Sequence, residues 1–318
     1  MKNVVKALKK SKRVAVIAHT SPDPDCMGSM TALSSILTRI GKYVEIFDDT
    51  KTLSDVLLSF NLPENISREL NPDQFDTIVV VDCNSYNKLG KYSTVVKDFK
   101  NVVLIDHHYC GDLKANAFYI DDKRSSCCEL IYLLAKNIGL KLTKDEASKI
   151  FAGIIGDTNC FQNGNADAKT YLIVSKLCEI GIDTNKVIYE IFKHTTNKDI
   201  AVKKLVYENM ISDGVVGHFY FTRKMQKELE TDDLGNMVND ILNNEDNKYA
   251  FVVKQKEKNV YTVSLRCKPG FNVAQIASKY GGGGHILASG MMFVGSPQKH
   301  IKQLIEDCHN QFSALGKN

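Results

Sequence analysis

Four short apolar runs in the first half of this chain each give way to acidic or imidazole side chains, and that repetition limits the fold. Val14-Ala15-Val16-Ile17-Ala18 runs into His19, Asp23 and Asp25. Ile78-Val79-Val80-Val81 ends in Asp82, and Val102-Val103-Leu104-Ile105 ends in Asp106, His107 and His108. Ile154-Ile155-Gly156 leads to Asp157. Between these runs stand helix-length stretches, and alternating strand and helix units imply a parallel sheet wrapped by helices. An open sheet of that kind takes its ligands at the carboxyl ends of its strands.

The expected strands are Val14–Ala18, Tyr43–Phe47, Thr77–Val81 and Val102–Ile105. A helix is expected from near Gly28 to just before Gly41, since glycine commonly follows a helix end. Helical pieces are expected between Phe47 and Thr77, and further helices near Cys127–Ile138, Lys144–Ile155 and Asp167–Ile180. Lys193-His194-Thr195-Thr196-Asn197-Lys198-Asp199 is polar and reads as a connector. Beyond it, strands are expected at Gly217–Phe221, Tyr249–Lys254 and Val260–Cys267, then a helix at Val273–Tyr280. A glycine-rich loop, Gly281-Gly282-Gly283-Gly284-His285, follows. No internal repeat and no low-complexity tract is visible.

The chain of 318 residues is long enough for two cores. The division expected is a parallel-sheet α/β domain over 1–190, a linker over 191–205, and a smaller α+β domain over 206–318. No apolar run approaches the ~20 residues of a membrane span. The basic start, Met1 to Arg13, lacks the long apolar stretch of a signal peptide. Nine cysteines form no Cys-x-x-Cys pair, so a zinc ribbon or disulfide framework is not expected. Reduced, mostly buried thiols in a cytoplasmic protein are. Cys26 and Cys83 lie beside the candidate ligands and are expected to be sensitive to oxidation or soft metals. A net charge of +4 is compatible with an anionic substrate. Lysines near Lys6–Arg13 and Lys254–Lys258 read as solvated faces, and nothing resembles the aromatic sheet of an RNA-recognition motif.

His19, Asp23 and Asp25 make a compact ligand cluster. Pro22 and Pro24 favour an extended segment there, in which Asp23 and Asp25 point the same way. Ser29 would then begin the next helix, whose amino end favours an anion. Aspartate with histidine suits Mn²⁺, Mg²⁺ or a similar divalent ion. His19, Asp23, Asp25, Asp82, His107 and Asp157 exceed the needs of one hydrated ion. Two ions ~3.5–4 Å apart, sharing one carboxylate, is the natural alternative. Such a pair lowers the pKa of a shared water and neutralises phosphoryl charge. A lone aspartate after a strand is ordinarily a cap or turn former, and only the conjunction of four segments lifts this set above that reading. In the second half, consecutive glycines would let backbone N–H groups converge on an anion, with His285 and Arg266 reaching a phosphate or base.

These pieces resemble the DHH phosphoesterase superfamily. The resemblance lies in His19-Thr-Ser-Pro-Asp23-Pro-Asp25-Cys-Met-Gly28-Ser29, Val80-Val81-Asp82, Asp106-His107-His108 and Gly153-Ile-Ile-Gly-Asp157-Thr158. Ser264-Leu265-Arg266-Cys267-Lys268 and Gly281-Gly-Gly-Gly-His285-Ile-Leu-Ala288-Ser289-Gly290 resemble the DHH-associated domain. The resemblance implies that His19 and Asp23 hold one ion and that Asp25, His107 and Asp157 hold the other. Asp82 would bridge them. It implies that His108 sits beside the scissile phosphate and that Asp106 orients both imidazoles from behind. Arg266, Gly282, Gly283, Gly284 and His285 would contact substrate, with the active site in the cleft between the domains. Pro24 stands where relatives often carry glycine, and Cys83 after Asp82 has no assigned role.

The length is similar to the bacterial nanoRNase and 3′-phosphoadenosine 5′-phosphate (pAp) phosphatase group. That similarity implies manganese-dependent hydrolysis of short RNA or DNA oligonucleotides to mononucleotides, and of pAp to AMP and phosphate. Mg²⁺ or Co²⁺ are alternative ions, and a homodimer is allowed. A phosphodiesterase of cyclic dinucleotides or pApA would use the same ligands. A manganese pyrophosphatase fits the second domain less well. A non-catalytic binder of nucleotides or RNA ends is the reading from another class, and the intact ligand set speaks against it.

Overall fold

The computed structural model describes residues 1–49, 66–109, 111–193 and 195–315. They form two compact units, Met1–His194 and Thr195–Asn318. Cys110, His194 and most of the stretch where helical pieces were expected after Phe47 lie outside the described residues.

The first unit is built on β1 (Arg13–Ile17), β2 (Tyr43–Phe47), β3 (Ile66–Ser67), β4 (Thr77–Val81), β5 (Val102–Asp106) and β6 (Ala117–Ile120). Their order is β3-β2-β1-β4-β5-β6, and every neighbouring pair is parallel. All five residues of β4 are buried, as a parallel strand covered on both faces requires. Alternation along the strands separates two cores. Val14, Val16, Val79, Val81, Val103 and Ile105 pack with helices Pro24–Arg39, Cys127–Ile138 and Lys144–Asp157. Ala15, Ile17, Ile78, Val80, Val102 and Leu104 pack on the other face with Phe47, Phe75, Tyr92 and Val96.

From β1 the chain winds outward to β2 and β3, then returns and winds the other way through β4, β5 and β6. The adjacent β1 and β4 therefore mark the point where strand order reverses, and a crevice opens beyond their carboxyl ends. Helices Pro24–Arg39 and Lys144–Asp157 cross close together behind that crevice. A Cβ on Gly28 would stand 2.5 Å from the Lys149 carbonyl oxygen, so only glycine permits the approach.

The second unit carries β7 (Ile211–Ser212), β8 (Val216–Phe221), β9 (Tyr249–Glu257), β10 (Val260–Cys267), β11 (Gly283–Gly284) and β12 (Ala288–Val294). Their order is β11-β12-β10-β9-β8-β7, with β8 and β9 parallel and the other pairs antiparallel. This mixed sheet has a core on each face. One gathers Phe251, Val253, Val263 and Leu265, and the other Ala250, Val252, Phe219 and Phe221. The polar stretch expected to be a connector holds the start of helix Asn197–Asn209. Thr196 and Asp199 form a reciprocal capping box there, which accounts for the polarity without a loop.

Candidate metal centre

β1 ends at Ile17, and His19 follows two residues on. The next segment is extended only as far as Asp23 (φ −116°, ψ −178°) and helical from Pro24 on. Helix Pro24–Arg39 starts four residues earlier than expected, with Asp23 as its cap; Asp23 Oδ1 accepts the Cys26 N–H at 2.9 Å. Proline is favoured in the first turn, where its missing N–H would have had no partner, so Pro24 begins the helix rather than preventing it. Ser29 is consequently buried inside the helix, its Oγ donating to the Cys26 carbonyl.

The helical turn sends Asp25 elsewhere than Asp23. Asp25 is fully buried, and its Oδ2 and Oδ1 accept the N–H groups of Cys127 (2.6 Å) and Cys128 (2.9 Å). Those donors open helix Cys127–Ile138, whose amino-terminal dipole favours a carboxylate.

Asp82 follows β4 with φ of 54° and is 2 % exposed. Left-handed backbone is uncommon outside glycine, and aspartate is among the residues that tolerate it. The twist puts the carboxylate at the reversal point between two imidazoles. Oδ2 is 3.4 Å from His19 Nε2, and Oδ1 is 3.3 Å from His107 Nε2. Among the described residues no hydrogen bond of ordinary geometry reaches Oδ1.

Asp106 ends β5, and its Oδ1 accepts both the His107 N–H and His108 Nδ1–H, each at 2.8 Å. It was expected to orient both imidazoles, and it orients only that of His108. The two rings are tilted by 56°, and His107 Nδ1 instead lies 3.2 Å from the Arg124 carbonyl. That places the His107 proton on Nδ1 and turns Nε2 toward carboxylates. Nε2 lies 3.2 Å from Asp157 Oδ2 and 3.7 Å from Asp25 Oδ2. Asp157 closes helix Lys144–Asp157, where the helix dipole opposes a negative charge.

The charge balance of the crevice is lopsided. Burial, with Asp82 and Asp157 nearby, pushes the Asp23 carboxyl up to about 7. Burial and the same two neighbours raise Asp25, and burial also raises Asp157. Burial works against ionised Asp82 too, yet His107 and His19 hold it below the usual carboxylate range. Burial likewise disfavours the two imidazolium ions, but Asp82 outweighs it at His19, and Asp157 with Asp82 outweighs it at His107. Four aspartates crowded together, Asp25 and Asp82 buried and Asp23 and Asp157 partly open to solvent, favour bound cations.

Among the described residues, three sets of donor atoms lie within 4.8 Å of one another: His19 with Cys26 and Asp82; Asp25 with His107 and Asp157; and Asp82 with Asp106, His107 and His108. Asp82 and His107 each belong to two sets. Asp23 belongs to none, standing 3.9 Å from His19 Nε2. Oxygen and imidazole donors with an orphaned, buried Asp82 oxygen fit hard or borderline divalent ions. Cys26 enters through its thiol, which burial and the surrounding carboxylates push well up. Six of the eight described cysteines are buried, and all eight are free; Cys160 and Cys178 reach the surface.

The remaining candidates belong to the second unit. Arg266 lies on β10, pairs in register with Ala288 of β12, and donates from Nη1 to the Leu265 carbonyl at 2.9 Å. The glycines do not form a nest of converging N–H groups. Gly281 and Gly282 donate to Ser278 and Ala277 and so close helix Val273–Ser278. Gly283 and Gly284 pair with Gly290 and Ser289 as an edge strand, and the His285 N–H donates to the Ala288 carbonyl. Close packing explains the glycines instead: a Cβ on Gly282 would lie 2.4 Å from the Gly290 carbonyl oxygen, and Gly284 has φ of 144°. Arg266 and the His285–Ala288 turn thus sit on neighbouring strands.

The N-terminal domain model of the DHH family matches residues 13–154, and the DHHA1 domain model matches residues 215–313. Two curated relatives carry the name bifunctional oligoribonuclease and PAP phosphatase NrnA. That of Mycoplasma genitalium is 28% identical over 312 residues, covering 96% of this chain and 95% of the relative. That of Mycoplasma pneumoniae is 29% identical over 315 residues, covering 97% and 95%. A solved exopolyphosphatase-related protein from Bacteroides fragilis superposes with a TM-score of 0.90 at 22% identity, covering 100% of this chain and 98% of that one. That likeness concerns the fold.

Proposed function

The chain belongs to the DHH family, with an associated DHHA1 domain, and from that premise we propose that it hydrolyses short oligoribonucleotides to mononucleotides and 3′-phosphoadenosine 5′-phosphate to AMP and phosphate. At the coarser level it is a metal-dependent phosphoesterase, by family and by its carboxylate and imidazole donor sets. The observation that carries the proposal is Asp82, a buried carboxylate shared between two donor sets with one oxygen unsatisfied. Relatives named for both activities over nearly their full length support the choice of substrates.

In this reading His19, Asp23 and Asp82 hold one divalent ion, and Asp82, Asp25, His107 and Asp157 hold a second. Manganese is the preferred ion, with Mg²⁺ or Co²⁺ as substitutes. Such ions, when bound, neutralise phosphoryl charge and lower the pKa of coordinated water. The chain's own residues do the rest. Asp106 fixes the His108 ring through Nδ1, and the ring, 27 % exposed, faces the crevice as a charge stabiliser or proton donor toward substrate. The Cys127 and Cys128 amides keep Asp25 in place without a counter-cation of their own. Arg266 and His285 are the proposed contacts to remote parts of the substrate. The proposed setting is the reducing cytoplasm, in keeping with the free thiols. Among the described residues no helix is long and apolar enough to cross a membrane.

The test is a substrate panel in Mn²⁺ and in Mg²⁺: labelled dinucleotides, pAp, pApA, cyclic di-AMP and pyrophosphate, each with product identification. Cleavage of dinucleotides and pAp, lost with a chelator and in Asp82→Asn, is the expected result. Preference for cyclic di-AMP or pApA would move the assignment within the family. Tight binding with no turnover in any arm would turn the protein into a nucleotide binder.

A further inference from the structure

Arg124 takes no direct part in the donor sets, yet three of their members depend on its surroundings. Its carbonyl faces His107 Nδ1 at 3.2 Å. Its guanidinium, 4 % exposed, is held by three carboxylates: Nη1 lies 3.1 Å from Glu129 Oε2, Nη2 lies 2.7 Å from Asp167 Oδ2, and Nε lies 3.8 Å from Asp121 Oδ2. Glu129 is fully buried in the first turn of helix Cys127–Ile138, and its Oε1 also accepts from the Ser125 N–H (3.2 Å) and from Thr170 Oγ1 (2.7 Å). That same first turn supplies the two amides that hold Asp25. Asp167 caps helix Ala168–Glu179 and ends the loop that leaves Asp157. Within that loop the Asn163 and Asn165 side chains donate to the Asp157 carbonyl.

The guanidinium therefore joins three segments: the loop that faces His107, the helix start that grips Asp25, and the far end of the loop that follows Asp157. We propose that Arg124 is the positioning residue that holds Asp25, His107 and Asp157 as one donor set. The claim rests on the metal-binding reading above and extends it to a residue outside the crevice. The physical reason is geometric. A planar guanidinium can meet two carboxylates at fixed angles, whereas an ammonium acts as a point charge and sets no angle. The carbonyl that fixes the His107 tautomer is only as well placed as the loop carrying it. His19 meets this network only through the shared Asp82 among the described residues, so the His19 side of the crevice should depend on it less.

The experiment titrates metal-free full-length protein with Mn²⁺ by calorimetry, comparing wild type with Arg124→Lys and Asp167→Asn. Asparagine caps a helix as well as aspartate does, so the second variant removes the ion pair and keeps the helix start. The wild type is expected to take up two ions. Each variant is expected to weaken one of the two affinities by about 10- to 100-fold, the range seen for such outer partners, and to change the other much less. In ¹⁵N-resolved NMR of the metal-free protein, the His107 Nδ1–H signal should shift or broaden in both variants while that of His108 stays. Equal affinities and an unmoved His107 signal would overturn the proposal, and so would an equal loss at both ions, which marks general destabilisation. Failure of the wild type to bind any divalent ion would overturn the metal reading itself, and this proposal with it.

Discussion

Replacing Gly153 by alanine tests whether the crevice is built on the close crossing of its two supporting helices. A Cβ at 153 would lie 2.3 Å from Cys128 Sγ and 2.7 Å from Asp25 Oδ1. Comfortable non-bonded separations are about 3.5–4.0 Å, so something must move by roughly 1 Å. Asp25 cannot swing aside without losing its two amide hydrogen bonds, and bonds to a charged group contribute about 1.5–3 kcal/mol each. Overpacking of this kind costs about 1–3 kcal/mol, and the two rigid neighbours put it near the upper end. Alanine is better than glycine inside a helix by about 1 kcal/mol, which offsets part of the loss. The net expectation is a loss of about 2 kcal/mol. For a unit of this size that lowers Tm by about 4–8 °C. Scanning calorimetry of the full chain should show the first unit's transition moving down while that of the second unit stays. Manganese affinity should fall too, because Asp25 is displaced. Adding Cys128→Ala should recover the part due to the sulfur contact and leave the part due to Asp25. A rise in Tm with unaltered manganese affinity would refute the reasoning, since it would mean that helix propensity alone governs the site.

Three other perturbations probe separate links. Asp82→Asn keeps the left-handed backbone tolerable and removes the shared charge; several kcal/mol of lost stabilisation is a fall in kcat on the order of a thousandfold, with an unchanged far-ultraviolet circular dichroism spectrum. Arg266→Ala should raise KM for dinucleotides with kcat nearly held, as expected for a contact made equally in ground and transition states; steady-state kinetics decide it. His218, stacked on Phe251 in the second unit, is pushed below the ordinary histidine value of 6.5 by burial. The unfolded chain then binds its proton first as pH falls, so this contribution is present above about 6.5 and is lost below it. Denaturant midpoints of the second unit should drop between pH 7 and pH 5, and His218→Phe should flatten that slope.

The strands that deliver His19, Asp82 and His107 are readable because parallel strands buried on both faces leave unbroken β-branched runs. β6 escapes notice: it is four residues long, with Phe118 and Ile120 exposed, so no burial pattern marks it. The start of helix Pro24–Arg39 is ambiguous in the sequence, because Pro-Asp-Pro-Asp satisfies both the extended preference before proline and the proline preference at a helix start. What decides it is Asp25 reaching amides 102 and 103 residues away, a contact no local pattern encodes. The Arg124 carbonyl is invisible for a similar reason: every residue has a carbonyl, and only the fold brings this one to His107. The glycine run is conspicuous in the sequence, but its cause is steric closeness of β11 to β12 rather than N–H groups left for an anion.

The central claim is that Asp82 is shared by two divalent ions at the reversal point of the parallel sheet. Anomalous diffraction at the manganese edge, from crystals soaked in Mn²⁺, tests it directly. The expected map has two peaks, one on either side of the Asp82 carboxylate, beside His19 and beside His107. A map with no peak at Asp82, or with a single peak that His19 and His107 both ligate, would contradict it.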